Sequence, residues 1–320
     1  MAPLLLVAAF GFALLSGAND GATLGAAGAR AGALSISASV GLLAVAVAVV
    51  PALVGTGVAT TLAHGLVSFE RSGGRVAFLA AVVAALLVVG VLSRRGLPTS
   101  ATLALSGGIV GVGFGAGLPL HWTTVVVVAA AGLLGPLVAS GAGFLAARSV
   151  GAAIGRPARR RAVSRLLRRA GPVVQSFAYG ANGAEKMVAF AAVATGAGLD
   201  PVRVSLPDQL GIAGCFSAGA LVTVRRVSTR VSEQMVRVRP EGAVSAAVAS
   251  SALVLASAAV GLPMSSTQAS TASLIGATAR LSPHSVRRGQ LLSLGLAWGA
   301  TLPVAVAGGA VLGLILRVAR

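Results

Sequence analysis

The chain has 320 residues, of which 56% are hydrophobic and only 10% are charged, and its formal net charge at pH 7 is +18. A soluble domain usually carries about 25% charged residues, so this composition excludes an ordinary soluble protein. It predicts an all-α polytopic protein of the cell membrane, whose helices each need roughly 20 apolar residues to cross the bilayer. A single cysteine, Cys215, excludes a disulfide within the chain.

Nine apolar stretches follow one another along the chain, and they are the candidate membrane spans. The first lacks a positively charged start, so we interpret it as a retained span rather than a signal peptide. The strong stretches are 42–63, 76–92, 123–147, 243–262 and 290–316, and the weaker, glycine-rich ones are 2–15, 97–117, 172–199 and 204–224.

Arginines cluster in two stretches, 148–169 and 225–239, each lying between apolar stretches. Basic segments beside membrane spans are typical of the cytoplasmic side, where they attract anionic lipid headgroups. A nucleic-acid surface would interleave aromatic residues among the arginines, and neither stretch contains one. We therefore expect the lipid bilayer, and no nucleic acid, to be the partner of these stretches.

An acidic residue follows the first apolar stretch, in the sequence SGANDGA that begins at Ser16. A carboxylate at the centre of a membrane helix costs roughly 2.5–3.5 kcal/mol, so such residues are rare and usually functional. Asp20 has no basic residue within helical reach, since Arg30 is the nearest. It therefore needs a bound proton or a neighbouring cation, which predicts a Na+ or H+ site at Asp20.

Two motifs occur twice in the chain, in the same order. SGANDGA has a partner in AYGANGAEK, which places Asn182 163 residues after Asn19. GLPTSATLALSGGIVG has a partner in GLPMSSTQASTASLIG, which places Pro263 165 residues after Pro98. Two unrelated motifs at nearly equal offsets indicate an internal duplication. We predict an N-terminal repeat over 1–147, a basic cytoplasmic linker over 148–171 and a C-terminal repeat over 172–320.

Duplicated membrane proteins are often secondary transporters with inverted repeats, whose substrate site lies where broken or re-entrant helices meet near the bilayer midplane. The second motif is typical of such a helix start, because proline is tolerated there and the hydroxyls after it can cap the helix or bind a ligand. Ordinary kinks with hydroxyls bonded to the backbone are the alternative, and the recurrence in both halves favours binding. The hydroxyl residues are Thr99, Ser100 and Thr102 in the first half and Ser265, Ser266 and Thr267 in the second.

A charged pair follows the second asparagine. Glu185 is followed by Lys186, the only lysine of the chain. A lysine retained inside an apolar stretch is a candidate partner for a bound anion. A local Glu185–Lys186 ion pair that neutralises both groups is the alternative, and the residues alone leave the two open.

The four motifs together resemble the signatures of the inorganic phosphate transporter family, which also includes sulfate permeases. The resemblance covers nearly the whole chain and implies inverted repeats with re-entrant hairpins, and symport of inorganic phosphate with Na+ or H+. It implies that Asn19, Asp20 and Asn182 match the paired asparagine signatures. The resulting substrate-binding candidates are Asn19, Thr99, Ser100, Thr102, Asn182, Lys186, Ser265, Ser266 and Thr267, and the coupling-ion candidates are Asp20, Glu185, Asn19 and Asn182, with Asp20 as the Na+ ligand.

The chain departs from the family pattern mainly in its second half. Gly183 stands where the family carries its second aspartate, and Glu185, two positions later, is a candidate replacement. The histidines of the family motifs are replaced by Tyr179, Leu103 and Gln268. Because a Na+ site with one carboxylate fewer is weaker, coupling by H+ becomes an equal alternative.

These observations predict a secondary active symporter of inorganic phosphate with no cofactor other than the coupling Na+ or H+. Phosphate keeps a titratable proton at neutral pH and can face a carboxylate, whereas sulfate cannot, so Asp20 favours phosphate and Gly183 favours sulfate. A sulfate permease and a degenerate protein that does not transport are the alternatives. An enzyme is the weakest interpretation because the sequence shows no nucleophile–base pair or metal-ligand spacing. A homodimer is left open.

Overall fold

The computed structural model describes residues 2–30, 34–69, 73–94, 99–154, 157–195, 205–234, 240–286 and 288–319. Within these ranges the chain is helical, apart from its connections and one isolated antiparallel bridge between Val67 and Leu120. Pro98 of the first hairpin motif lies outside the described residues, as do residues 97, 196–199 and 204 of the apolar stretches and 235–239 of the second basic stretch.

The described residues form thirteen α-helices and three π-helical turns. The π-helical turns, which are wider than an α-helix, lie at Gly17–Gly21, Thr61–Gly65 and Gly180–Ala184, and a short 3-10 helix lies at Pro283–Ser285. The α-helices are α1 Ala2–Ser16, α2 Ala22–Arg30, α3 Ile36–Val54, α4 Gly57–Thr60, α5 Gly74–Arg94, α6 Ala101–Gly115, α7 Trp122–Ile154, α8 Pro157–Tyr179, α9 Glu185–Thr195, α10 Leu206–Gln234, α11 Pro240–Ala259, α12 Ser266–Leu281 and α13 Arg288–Val318.

Six helices among the described residues are long and apolar enough to cross a membrane. Their outer faces carry large apolar side chains that are mostly exposed, such as Val7, Leu53 and Leu137. Lipid tails are as apolar as leucine, so such faces suit a bilayer, and the predicted all-α polytopic membrane protein is confirmed. The six spans are Ala2–Ala29, Ile36–Val54, Gly74–Leu92, Trp122–Val150, Glu241–Ala259 and Leu291–Val318.

The apolar stretch 42–63, predicted as one span, is divided into two helices. Helix α3 ends at Val54, and Gly55 follows with a φ of 94°, a conformation that glycine adopts without steric cost. Helix α4 then begins at Gly57 and continues into the π-helical turn that ends at Gly65. The single span was wrong because only the short run Gly55–Gly57 marks the helix break within a largely apolar stretch. The break creates a helix start inside the protein.

Both basic stretches belong largely to helices. Helix α7 extends to Ile154 and α8 begins at Pro157, so the predicted linker 148–171 is helical over most of its described residues. Helix α10 likewise continues to Gln234, within the second basic stretch. Arginine is a good helix former and proline is favoured at the first helical position, which explains why these polar segments extend the helices. The boundaries of the two repeats stay predictions.

Helices α6 and α12 occupy the interior of the protein. Helix α6 has 15 residues and would measure about 22 Å, which is shorter than the roughly 30 Å hydrocarbon core. It starts at Ala101 and α12 starts at Ser266, which reproduces the 165-residue offset of the motifs. Each packs most extensively on the long helix of the other half, α6 on α13 and α12 on α7. Helices α6 and α12, which follow the two proline motifs, are called the hairpin helices below. Each half therefore packs its hairpin helix against a long helix of the other half.

Glycines allow this packing because they let backbones approach closely. A methyl group on Gly111 of α6 would overlap the Val306 carbonyl of α13, and Gly115 approaches α13 in the same way one turn later. At the equivalent position of the second half, Gly276 of α12 faces the carbonyl of Ser140 on α7. The small residues thus fix the depth at which each hairpin helix is held.

We expect Gly111→Ala to destabilise the folded protein by about 1–3 kcal/mol, because the added methyl must displace the α13 backbone. The matched control is Gly308→Ala on α13 itself, where the new methyl would meet no atom within 4 Å. The measurement is the fraction of folded protein against denaturant in detergent micelles. Equal stabilities of the two variants would contradict the close packing of α6 on α13.

Candidate functional site

Two π-helical turns carry the paired asparagine motifs. The turn Gly17–Gly21 connects α1 with α2, and the turn Gly180–Ala184 connects α8 with α9. Such turns occur frequently at functional sites. The second turn is buried throughout, and the first is buried or half-buried. Both halves therefore place the same widened turn inside the protein.

Each asparagine binds the backbone that precedes the hairpin helix of its own half. The side-chain amide of Asn19 donates to the Thr99 carbonyl at 3.3 Å. The amide of Asn182 donates to the Leu262 carbonyl at 3.0 Å, and its oxygen accepts from the Met264 N–H at 3.1 Å. The two asparagines thus hold the entrances of α6 and α12 in place.

The Asp20 carboxylate lies where three elements meet, and it is 5% exposed. Its Oδ1 accepts a hydrogen bond from the Thr267 hydroxyl in the first turn of α12, and another from Asn19 Nδ2 at 3.2 Å. Its Oδ2 accepts from the Tyr179 hydroxyl at the end of α8, at 3.5 Å. A carboxylate of the first half is therefore bonded directly to the hairpin helix of the second.

Lys186 reaches the same helix start from α9. Its Nζ donates to the Met264 carbonyl at 2.8 Å, and the residue is 2% exposed. The hydroxyl of Thr102 on α6 approaches the same carbonyl at 3.4 Å. Lys186 also lies within electrostatic range of Asp20 and Glu185. The Met264 carbonyl thus accepts from both Lys186 and Thr102, and it connects the only lysine of the chain with the starts of α6 and α12.

The predicted hydroxyl residues divide into several roles. Ser100 and Ser265 accept hydrogen bonds from the backbone N–H groups of Leu103 and Gln268, at 3.2 and 3.3 Å, and so cap α6 and α12. This is the usual contribution of a serine at a helix start. Ser266 has a buried hydroxyl without a hydrogen-bond partner. Thr102 and Thr267 make the side-chain contacts described above, and Thr99 supplies its carbonyl.

The Glu185 carboxylate contacts a different helix start from the one that Lys186 contacts. Its Oε2 accepts from the backbone N–H groups of Val58 and Ala59, at 2.7 and 3.1 Å, in the first turn of α4. A carboxylate at a helix start satisfies amides that have no partner within the helix. The side chains of Glu185 and Lys186 therefore form hydrogen bonds with different backbone groups. The sequence signal for this contact was the Gly55–Gly57 break, which the apolar composition concealed.

A small cavity of about 10 Å³ lies beside Tyr179 and Ser266. It has room for about one water molecule. Among its lining side chains are Gln175, Ser250 and Ser251, and the Ser251 hydroxyl is also buried without a partner. Tyr179 stands at a motif position, but its contact with Asp20 and the contribution of Gln175 could not be inferred from motif matching, because both depend on how α8 packs.

Comparison with known proteins places these features in a family. A profile of the phosphate transporter family matches residues 16–172 and 163–309. The probable low-affinity inorganic phosphate transporter of Bacillus subtilis (strain 168) is 26% identical over 277 residues, which cover 84% of this chain and 83% of that protein. Its counterpart in Mycobacterium tuberculosis (strain ATCC 25618 / H37Rv) is 29% identical over 276 residues, covering 80% of this chain but only 63% of that longer protein.

A solved structure, the sodium-dependent phosphate transporter, shares the fold with a TM-score of 0.81 at 18% sequence identity, over 99% of each chain. The family resemblance indicated by the motifs is confirmed, as are the multi-pass membrane location and the expectation that the chain is not an enzyme. Because the family profile covers both halves with their asparagine and hairpin motifs, the chain belongs to the phosphate transporter family.

Proposed function

We propose that this protein is a secondary symporter that carries inorganic phosphate across the membrane together with Na+. The observation that supports this most is the bond from Thr267, at the start of α12, to Asp20 in the π-helical turn of the other half. It joins a cation-binding group to an anion-binding one. The names of the related transporters and of the structure that shares the fold support the same substrate and the same ion.

The anion would bind between the starts of α6 and α12. The first amides of a helix have no partner within the helix and attract anions. The unpaired Ser266 hydroxyl and the hydroxyls of Thr102 and Thr267 can donate to phosphate oxygens. Lys186, bonded to Met264 immediately before α12, supplies positive charge at the same place. Asn19 and Asn182 would act by holding the two helix starts.

The cation would bind at Asp20. Na+ in such transporters is coordinated by oxygens near broken helices, and the hydroxyls of Thr267 and Tyr179 already lie against the carboxylate. A hydroxyl can turn its lone pairs toward a cation and its hydrogen toward an anion. Thr267 could thus contact both ions at once.

Charge balance explains why the two ions would travel together. Within the buried site Asp20 and Glu185 are acidic and Lys186 is basic. Bringing phosphate into this surrounding adds negative charge where the effective dielectric constant is low, which is costly. A bound Na+ offsets that charge. Binding of either ion therefore favours binding of the other.

Access to the site would alternate by rocking of one repeat-derived bundle against the other. The repeats over 1–147 and 172–320, joined by 148–171, would be inserted in opposite orientations, as in other transporters built from inverted repeats. The described site side chains are buried or half-buried. Exposing these side chains to either side of the membrane would require such a movement.

The test is uptake of labelled phosphate and labelled sulfate into proteoliposomes, under an imposed Na+ gradient or an imposed pH gradient. We expect phosphate, and not sulfate, to accumulate under the Na+ gradient. Empty liposomes are the control for leakage. Uptake driven by the pH gradient alone would replace Na+ by H+, and preferential sulfate uptake would identify a sulfate permease. If neither anion accumulates under either gradient, the transport proposal is wrong.

A further inference from the structure

The two π-helical turns have the same length and the same first three residues, and they differ at the two positions that follow. The sequences GANDG and GANGA align Asn19 with Asn182 and Asp20 with Gly183. Both asparagines hold the backbone before the hairpin helix of their own half. The second turn therefore keeps the π-helical form and the asparagine contact but lacks the carboxylate, and it carries Ala184 in place of Gly21.

Tyr179 occupies the space that a side chain at position 183 would need. A Cβ built on Gly183 would lie 2.7 Å from both Cδ2 and Cζ of the Tyr179 ring. The ring is 1% exposed and packs on Phe216, with the ring centroids 5.2 Å apart. Because real Cβ atoms do not approach other atoms so closely, an aspartate cannot replace Gly183 while the Tyr179 ring stays in place.

The first half leaves this space open. The residue that aligns with Tyr179 is Ser16, which lies at the end of α1 four positions before Asp20. Serine has no ring to fill the turn, so a carboxylate fits there. Side-chain sizes at the two turns are thus complementary. The small Ser16 precedes the larger Asp20 in the first half, and the large Tyr179 precedes Gly183 in the second.

Tyr179 also delivers a polar group to the coupling site. Its hydroxyl lies 3.5 Å from Oδ2 of Asp20. The second half therefore presents a neutral oxygen to the site from the residue just before its turn, whereas the first half presents a charged oxygen from within its turn. A cation held by a carboxylate in a low-dielectric site gains far more than one held by a neutral hydroxyl.

We propose that Tyr179 takes the place of a second carboxylate, so that the paired π-helical turns hold a single coupling cation, at Asp20. This inference rests on the proposed symport function. It gives the stoichiometry: one cation at these turns for each phosphate. Restoring the second carboxylate requires two changes, Gly183→Asp for the charge and Tyr179→Ala for the space.

The first test is a double-mutant cycle on stability, which does not depend on transport. Gly183→Ala adds only a methyl group and is expected to destabilise the protein in the presence of Tyr179. In the Tyr179→Ala background, the same methyl is expected to cost much less, because the ring is gone. Additive effects of the two changes would overturn the claim that Tyr179 fills the space beside Gly183.

The second test counts cations. Equilibrium binding of radioactive Na+ to the purified protein with saturating phosphate is expected to give one Na+ per chain in the wild type and no more than one in Tyr179→Ala, which removes a hydroxyl beside Asp20. The Tyr179→Ala/Gly183→Asp protein is expected to bind two. A wild-type count other than one overturns the proposal. So does a folded double variant that still binds one.

The third measurement is the phosphate accumulation ratio in proteoliposomes at a fixed membrane potential. With equal Na+ concentrations on both sides, one added cation per phosphate raises the ratio about tenfold at a potential of about 59 mV, so the double variant should exceed the wild type by that factor. An unchanged ratio in an active double variant contradicts the inference. If the wild type accumulates no phosphate, the proposed function fails, while the Na+ count still decides whether the turns hold one cation.

Discussion

Uptake of phosphate driven by a Na+ gradient is expected to fall by about 100-fold or more in Asp20→Asn, through loss of the cation's only charged ligand at the paired turns. A cation about 4 Å from a carboxylate gains about 4 kcal/mol at an effective dielectric constant of about 20. Each 1.4 kcal/mol or so is tenfold in affinity. Asparagine keeps the shape and one oxygen that can accept from Thr267, so the fold should survive.

The measurement is the initial rate of labelled phosphate uptake at several Na+ concentrations. Asp208→Asn is the matched control, because Asp208 lies at the start of α10 and bonds to the Ser205 hydroxyl at 2.6 Å; it should transport at the wild-type rate. If Asp20→Asn retains its dependence on the Na+ gradient, the coupling ion binds elsewhere.

Removal of the Glu185 side-chain carboxylate is expected to have the largest effect on folding. Glu185→Leu leaves the buried N–H groups of Val58 and Ala59 without their acceptor, and it removes a negative charge near Lys186. Breaking a buried charged interaction of this kind costs about 3–5 kcal/mol. We expect Glu185→Leu to lose most of its folded fraction at temperatures at which the wild type is stable.

Glu185→Gln separates the two roles considered for this residue. Glutamine keeps an oxygen for both N–H groups but carries no charge, so its loss of stability should be smaller than that of Glu185→Leu. If Glu185 serves α4, the glutamine variant that folds should keep Na+-driven uptake. Uptake that has lost its gradient dependence, in a stable Glu185→Gln protein, would instead identify Glu185 as a coupling carboxylate. Thermal unfolding in detergent and uptake in proteoliposomes provide the two measurements.

The sequence predicted the elements that the duplication repeats. Asn19 and Asn182 occupy equivalent turns, and Ser100 and Ser265 begin equivalent helices, because the same local chemistry was retained in both halves. A pattern that occurs twice can be recognised without knowing which parts of the chain meet. The packing of α6 and α12 on the opposite halves was not predictable in this way, because glycines indicate a close approach but not the partner.

Three further features depend on contacts that side-chain patterns do not encode. The acceptor shared by Lys186 and Thr102 is a backbone carbonyl, which every residue possesses. The partner of Glu185 is a helix start that interrupts an apolar stretch without any polar residue other than threonine to mark it. The Tyr179 ring occupies the space beside Gly183 and also packs on Phe216, which lies far away in the sequence.

The packing of α6 against α13 has a consequence for how the protein is made. Helix α6 emerges from the ribosome early, yet the surface that its glycines fit belongs to a helix synthesised near the end of the described chain. Chains fold during synthesis from the N-terminal side. The glycine surface of α6 therefore lacks its packing partner in the bilayer until α13 has been synthesised. We expect the two hairpin helices to dock only after α13 has been inserted. The two halves therefore reach their folded state together, and the first half completes its packing only after the second half has been synthesised.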